Sequence, residues 1–379
     1  MRLSERATDL PESGIRKFFE LAEARDDVIS LGVGEPDFSA PWAARTAAID
    51  SLERGKTSYT SNRGMEPLRE AIADHHERYD QPYDPAEEVL VTTGASEAVD
   101  LAFRALVDPG DVVAVHEPTY ISYAPGIELA GGEPLPVPTH AADDFALTRE
   151  GLAAAGADAA DVLVLCYPNN PTGATMTDEE LAEVAAFCRE HDLRVIADEI
   201  YAALTYGGDH ASIATQPGMR ERTVVINGFS KAYAMTGLRL GYALGPADAV
   251  DAMNRIHQYT MLSAPTTAQY AALEALERCD DEVREMVGEY NRRRRLVVSR
   301  FNAMGLDTFE PTGAFYAFPR CGGDDEAFAE ALLEEQGVAV VPGSVFGAGG
   351  EGHLRVSYAT SMRELKAATD RIADFVANR

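Results

Sequence analysis

From residue 89 onward the chain repeats one pattern: a short, wholly apolar run, a glycine or polar turn, then a helical stretch. VLVTTG at 89–94 opens the series, and further apolar runs follow at 112–115, 162–166, 195–197, 224–226 and 240–244. A run without polar alternation is what a strand looks like when both faces of its sheet are covered. Helices between successive runs supply the crossovers that parallel strands need. The pattern restricts this part of the chain to an α/β fold, a mostly parallel sheet covered on both faces. In such sheets ligands bind at the carboxyl ends of the strands.

Helical patterns occupy 41–54, 67–79, 95–107, 148–155 and 178–190, and a long one spans 280–304. Beyond it, strand-like runs at 314–318, 338–341 and 354–358 and a helix from Met362 read as a smaller α+β unit. The N-terminal segment, with an amphipathic stretch at 15–24 and an apolar run at 28–31, joins that unit. The expected division is a large domain over 46–285 and a small domain made of 1–45 and 286–379. Gly32 and Gly34, in GVGEPDF, lack the third glycine and the following helix of a dinucleotide fingerprint.

With 379 residues and 46% hydrophobic content the chain can bury a large core. Its net charge of −29 argues against nucleic acid and anionic membrane surfaces as partners. Only four lysines occur, so Arg carries nearly all the positive charge, and the acidity reads as adaptation to high salt. RRRR at 292–295 reads as a solvated face paired with surface acids. Cys166, Cys188, Cys279 and Cys321 are scattered, which signals neither a metal site nor a disulfide framework and suits reduced thiols in the cytoplasm. The N-terminus MRLSERATDLPES has no apolar signal region, and no apolar run approaches the ~20 residues of a membrane span.

Four strand ends collect polar residues of complementary kinds. NGFSKAYAMTGLRLG, 227–241, places Ser230, Lys231 and Arg239 on one loop. Arg grips phosphate as a fork and Lys forms Schiff bases, although alone this stretch reads equally as a basic turn. Gly94-Ala95-Ser96 opens a helix whose free N–H groups bind phosphate; alone it reads as an N-cap by Ser96 or Thr93. Asn170, in the proline-flanked loop PNNPTG, is placed to orient a substrate or a ring oxygen. Asp198, at the end of an apolar strand, needs a partner: a pyridinium N–H, or equally a helix N-terminus or a structural Arg. Tyr201 follows three residues later and can donate to a ring hydroxyl. An amine that traps aldehydes, an acid for a ring nitrogen and several phosphate donors specify pyridoxal 5′-phosphate better than a nucleotide.

VGEPDF, YTSNRGMEPLRE, VTTGASEA, EPTY, YPNNPTG, ADEIY, FSKAYAMTGLRLGY, GAFYAFP and LRVSYA occur in this order over nearly the whole chain. In this the sequence resembles the class I/II aminotransferases of the aspartate aminotransferase superfamily, fold type I of the pyridoxal-phosphate enzymes. The resemblance implies that Lys231 carries the cofactor as a Schiff base, is displaced by substrate, and shuttles the proton between substrate Cα and cofactor C4′. It implies that Asp198 pairs with the ring nitrogen, that Asn170 and Tyr201 hydrogen-bond the ring O3′, and that Tyr120 stacks on the ring. Ala95, Ser96, Ser230 and Arg239 would hold the phosphate, with Tyr59 reaching the phosphate of a neighbouring subunit in a homodimer with shared active sites. Arg355 would clamp the substrate α-carboxylate, assisted by the Gly34 backbone and Asn170.

The implied reaction is a ping-pong transfer from an aspartate-type or aromatic L-amino acid to a 2-oxo acid such as 2-oxoglutarate. A carbon–sulfur lyase or related synthase on the same fold is the alternative, and a regulator would need an added DNA-binding domain. For the substrate side chain, Ile15, Phe18 and Tyr316 suggest a versatile or aromatic pocket, while Arg255 and Arg292 are candidates for a second carboxylate.

Overall fold

The structure is a computed structural model that describes residues 27–379 and positions 1, 3–8, 10 and 14. The amphipathic stretch at 15–24, with Ile15 and Phe18, lies outside the described residues. The strands are β1 (Ile29–Ser30), β2 (Val89–Thr92), β3 (Val112–Glu117), β4 (Glu133–Pro138), β5 (Val162–Cys166) and β6 (Arg194–Asp198). They continue with β7 (Thr223–Gly228), β8 (Gly241–Leu244), β9 (Tyr316–Ala317), β10 (Val338–Ala339), β11 (Val341–Pro342) and β12 (Leu354–Ser357).

Seven of them form one sheet in the order β2-β8-β7-β6-β5-β3-β4, in which only β8 runs against the rest. The unbroken apolar runs have the expected cause. Leu163 and Leu165 enter the core on one face, Val162, Val164 and Cys166 the core on the other. Val225 and the pair Val224–Ile226 part in the same way. Helix Asp178–Glu190 begins at a reciprocal cap, Thr177 receiving the Glu180 N–H while Glu180 reaches back to the Thr177 N–H.

β2, β3, β5, β6 and β7 all end at one edge of this sheet, and β8, running the other way, begins there: Gly241 lies opposite both Thr92 and Gly228. One edge therefore receives every motif that follows a strand.

A third core gathers Leu31 with Val338, Val340, Leu354, Val356, Tyr358 and the large side chains of Tyr290, Phe315 and Phe375. It also takes in Ile200, Tyr201 and Leu204, so it abuts the carboxyl edge of the large sheet. Here β11, β12 and β9 form an antiparallel sheet, and β1 pairs in parallel with β10.

Four local readings change. The run 338–341 is not one strand; its halves pair with different partners, β10 with β1 and β11 with β12. The run 314–318 keeps only two ladder residues, because Ala314 turns out of extended geometry with φ of 54°. β4 was not legible as a strand: EPLPVP places proline at every second position, which a strand tolerates only at an edge, and β4 is the outer strand. The RRRR run is not uniformly solvated either. Arg293 is buried, pairing with Asp37 at 2.8 Å and Glu289 at 3.0 Å, and Arg294 bonds Glu310. Among the described residues no helix is long and apolar enough to cross a membrane.

Candidate active site

Lys231 sits three residues beyond the end of β7. Its Nζ donates to the Gly34 carbonyl at 2.5 Å and lies 5.6 Å from the ring centres of both Tyr201 and Phe315. Burial lowers its pKa to about 8 against the opposing charge of Glu35. Roughly a tenth of the amine is then unprotonated at pH 7, far more than for an ordinary lysine, and that is the state that attacks a carbonyl.

Arg239, in left-handed backbone geometry with φ of 54°, donates to the Thr236 carbonyl at 2.8 Å. Its guanidinium also lies against Gly94; a Cβ there would fall 2.7 Å from Nη2. Gly94, with φ of 80°, is the N-cap of helix Ala95–Leu106, and no side chain caps that end. Neither Ser96 nor Thr93 takes the capping role, and the N–H groups of Ala95 and Ser96 stay available while that of Glu97 bonds the Gly94 carbonyl. Gly241 packs so closely on the Gly94–Ala95 peptide that a Cβ would collide with the Ala95 nitrogen. Helix end, guanidinium and the buried Ser230 thus border one corner of the sheet edge.

Asp198 closes β6 and is buried. Tyr123 Oη donates to Oδ2 at 2.7 Å and the Ile200 N–H to Oδ1 at 3.1 Å. Neither donor carries charge, and burial raises the carboxyl to about 6. Tyr120, half-buried, meets the Tyr123 ring edge-on at 5.5 Å. Tyr201 and Tyr316 share a hydrogen bond of 2.8 Å.

Arg355, in the middle of β12, is buried at 3% exposure. Nη1 donates to Asn170 Oδ1 at 3.0 Å and Nη2 to the Gly32 carbonyl at 2.6 Å, while Nε has no partner. The guanidinium is stacked 4.8 Å from the ring centres of Tyr316 and Phe346. A buried, half-satisfied fork with one N–H free suits a carboxylate.

The structure therefore brings Gly34, Asn170, Asp198, Tyr201, Lys231 and Arg355 together, with Ala95, Ser96, Ser230, Tyr120 and Arg239 along the same edge. Tyr59 stands apart from them, 80% exposed. Gly34 contributes its carbonyl to Lys231, and the arginine takes Gly32 instead. Sequence reasoning missed Tyr123, Phe315, Phe346 and Gly32. Only Tyr123 carried a signal, lying one helical turn past Tyr120. Arg292 pairs with Glu289 and Arg255 with Asp251, both through exposed guanidinium groups, so each pair is a weak surface contact.

Residues 26–372 match the family model for aminotransferase class I and II. The chain belongs to this family. YugH of Bacillus subtilis, which carries only a provisional aminotransferase name, is 50% identical, over 99% of this chain and 98% of its own. The aromatic-amino-acid aminotransferase 2 of Thermococcus litoralis is 42% identical, over 98% of this chain and 97% of its own. The structure of aspartate aminotransferase from Thermus thermophilus with maleate superposes with a TM-score of 0.93 at 39% identity, covering 99% of this chain and all of that one. The protein is an aminotransferase, and enzymes of this family use pyridoxal 5′-phosphate. The residues present fit that group: a buried carboxylate awaiting a cation, a depressed lysine, and a glycine-lined helix end facing an arginine.

Proposed function

We propose that this aminotransferase moves the amino group of an aspartate-type or aromatic L-amino acid to a 2-oxo acid such as 2-oxoglutarate, in two half-reactions at this one site. The observation that carries the reading is the meeting of Lys231, Asp198 and the Arg355–Asn170 pair where the sheet edge faces β12.

When bound, the cofactor supplies a protonated ring that accepts the electron pair left as substrate Cα loses its proton. Asp198 holds that ring nitrogen protonated, and the charge it gains as partner offsets the burial that raises its own pKa. Asn170, whose Oδ1 is taken by Arg355, has its amide N–H₂ left for the ring oxygen, and Tyr201 donates beside it. Tyr120 would cover the ring face. Ala95, Ser96, Ser230 and Arg239 would hold the phosphate. Lys231 would attach the cofactor, would be released by the incoming amino acid, and as a neutral amine would carry the proton from substrate Cα to the cofactor's C4′. Arg355 fixes the α-carboxylate, with Gly34 and Asn170 beside it, and so orients the Cα–H bond towards Lys231.

Aromatic side chains around Arg355 favour acceptance of aromatic donors alongside aspartate. Tyr59 reaches the phosphate of a second copy in a homodimer with shared sites. Trp42, Ile49 and Leu52 leave an apolar face exposed on helix Trp42–Glu53. The Tyr59 loop is tied to the exposed Met261–Leu262 turn through Asn62 and Thr266. The division into a 46–285 domain and a 1–45 plus 286–379 domain, a salt-rich cytoplasm and the scarcity of lysine belong to the same reading. The deciding experiment is kcat/KM for aspartate, phenylalanine, tyrosine and tryptophan with 2-oxoglutarate as acceptor. Release of a keto acid without consumption of acceptor would favour the lyase instead.

A further inference from the structure

Glu199 follows Asp198 directly, and the pleat sends the two side chains to opposite faces of the sheet. On its own face Glu199 is buried among polar groups that the transfer chemistry does not use. Ser212 Oγ donates to Oε1, Gln81 Nε2 donates to Oε2 at 3.3 Å, and His210 Nε2 lies 3.0 Å from Oε2, close but off the N–H axis. Behind Gln81 the hydrogen bonds run one way. His76 Nδ1 lies 2.9 Å from Gln81 Oε1, which can only accept, so Nδ1 carries the proton and Nε2 accepts from Tyr242 Oη, also at 2.9 Å. Burial pushes His76 down to about 4, in keeping with a neutral ring. Ser212, Gln81, His76 and Tyr242 therefore point, directly or by relay, at the Glu199 carboxylate. Burial opposes its charge, yet His210 and Ser212 bring its pKa below the ordinary carboxylate value. Helix Glu66–Glu77, the loop at Gln81, β8 and the 210–212 segment all meet there. An apolar plug would serve folding as well as such a cluster.

We infer that Glu199 and His210 form a buried pair that positions the end of β6 and sets the ionisation of Asp198. This rests on the assignment of Asp198 to the cofactor's ring nitrogen. The groups facing Asp198 are Tyr123, Cys166 and Lys231 from other elements and Glu199 from its own. Those facing Glu199 are His76, Gln81, His210 and Ser212, with Tyr79, Tyr83 and Tyr242 beyond them. A bare negative charge one residue away disfavours a second on Asp198. His210 screens it, and Asp198 stays charged for the ring. Both are positioning residues, since neither touches substrate.

The test uses the pH profile of kcat/KM in the holoenzyme and the dissociation constant of pyridoxal 5′-phosphate from the apoenzyme, in four variants. H210F leaves Glu199 unscreened and is expected to move the acid limb up by on the order of one pH unit and to weaken cofactor binding about tenfold. E199Q removes the charge and is expected to move the limb down. E199Q/H210F is expected to return it towards the parent position, with KM for the amino donor above the limb unchanged in all three. Limbs that stay put, or that move the same way in H210F and E199Q, overturn the inference. If H210F does not fold, the absence of a downward shift in E199Q overturns it by itself. D198N separates the two assignments: if it leaves cofactor affinity unchanged, the role of Asp198 fails rather than that of the pair.

Discussion

The two halves of the proposed site are built in different ways. The cofactor half comes from turns that follow parallel strands, each turn bringing one or two groups to a common edge. Gly94 with Ala95, Asn170, Asp198 and Lys231 lie beyond the ends of four different strands or close them. The carboxylate half rests on Arg355, in mid-strand of a three-stranded antiparallel sheet, and on a short stretch at Gly32–Gly34. A parallel sheet collects unlike chemistry from distant sequence, whereas a strand holds one side chain rigidly between fixed neighbours, here Tyr316 and Phe346. The first arrangement suits a ligand held at many atoms and the second a ligand held at one.

If the halves are separable, damage to each should look different. Lys231→Ala should have the largest effect, abolishing covalent cofactor attachment and cutting kcat by at least about 10⁴-fold, as absorbance spectra and steady-state rates would report. Arg355→Ala should raise KM for every amino acid by roughly 10²- to 10³-fold while leaving the spectrum of the attached cofactor intact. A spectrum that changed as much as in the lysine variant would break the comparison. Tyr123→Phe removes one of two donors to Asp198 and should lower kcat about tenfold with KM little changed, and shift the acid limb upward. The mildest test is pH itself. With Lys231 lowered to about 8, the rate of cofactor attachment to apoenzyme should rise as pH passes upward through that value and then level off, because only the unprotonated amine attacks. Stopped-flow mixing across that range checks the sign.

The central fold was legible because its strands are buried on both faces, so Val162–Cys166 reads as a strand without any partner known. Helix Asp178–Glu190 was legible to the residue because its start carries a reciprocal cap. The pairing of 338–341 with two partners was not, since nothing local distinguishes Val338 from Val341. Within the proposed site, the residues read from the sequence, Asp198, Lys231 and Asn170, are those that stand at or just beyond the ends of apolar runs. Residues that act through a neighbour did not. Tyr123 matters because it reaches Asp198 from a helix 75 positions earlier, and Gly32 because a backbone carbonyl faces Arg355 from 323 positions away. Periodicity is blind to both, for it registers burial and not which groups meet across the fold.

The outer strand of the large sheet has a consequence of its own. Glu133 and Thr139 donate inward to Asp111 and Glu117, so the alternate positions Pro134, Pro136 and Pro138 face outward. The free margin of a seven-stranded sheet is thereby stripped of N–H donors along its length. A stray strand from another molecule finds carbonyls but nothing to complete a ladder. The prolines that hid this strand from view also guard the sheet against runaway edge-to-edge growth, the first step towards fibrils.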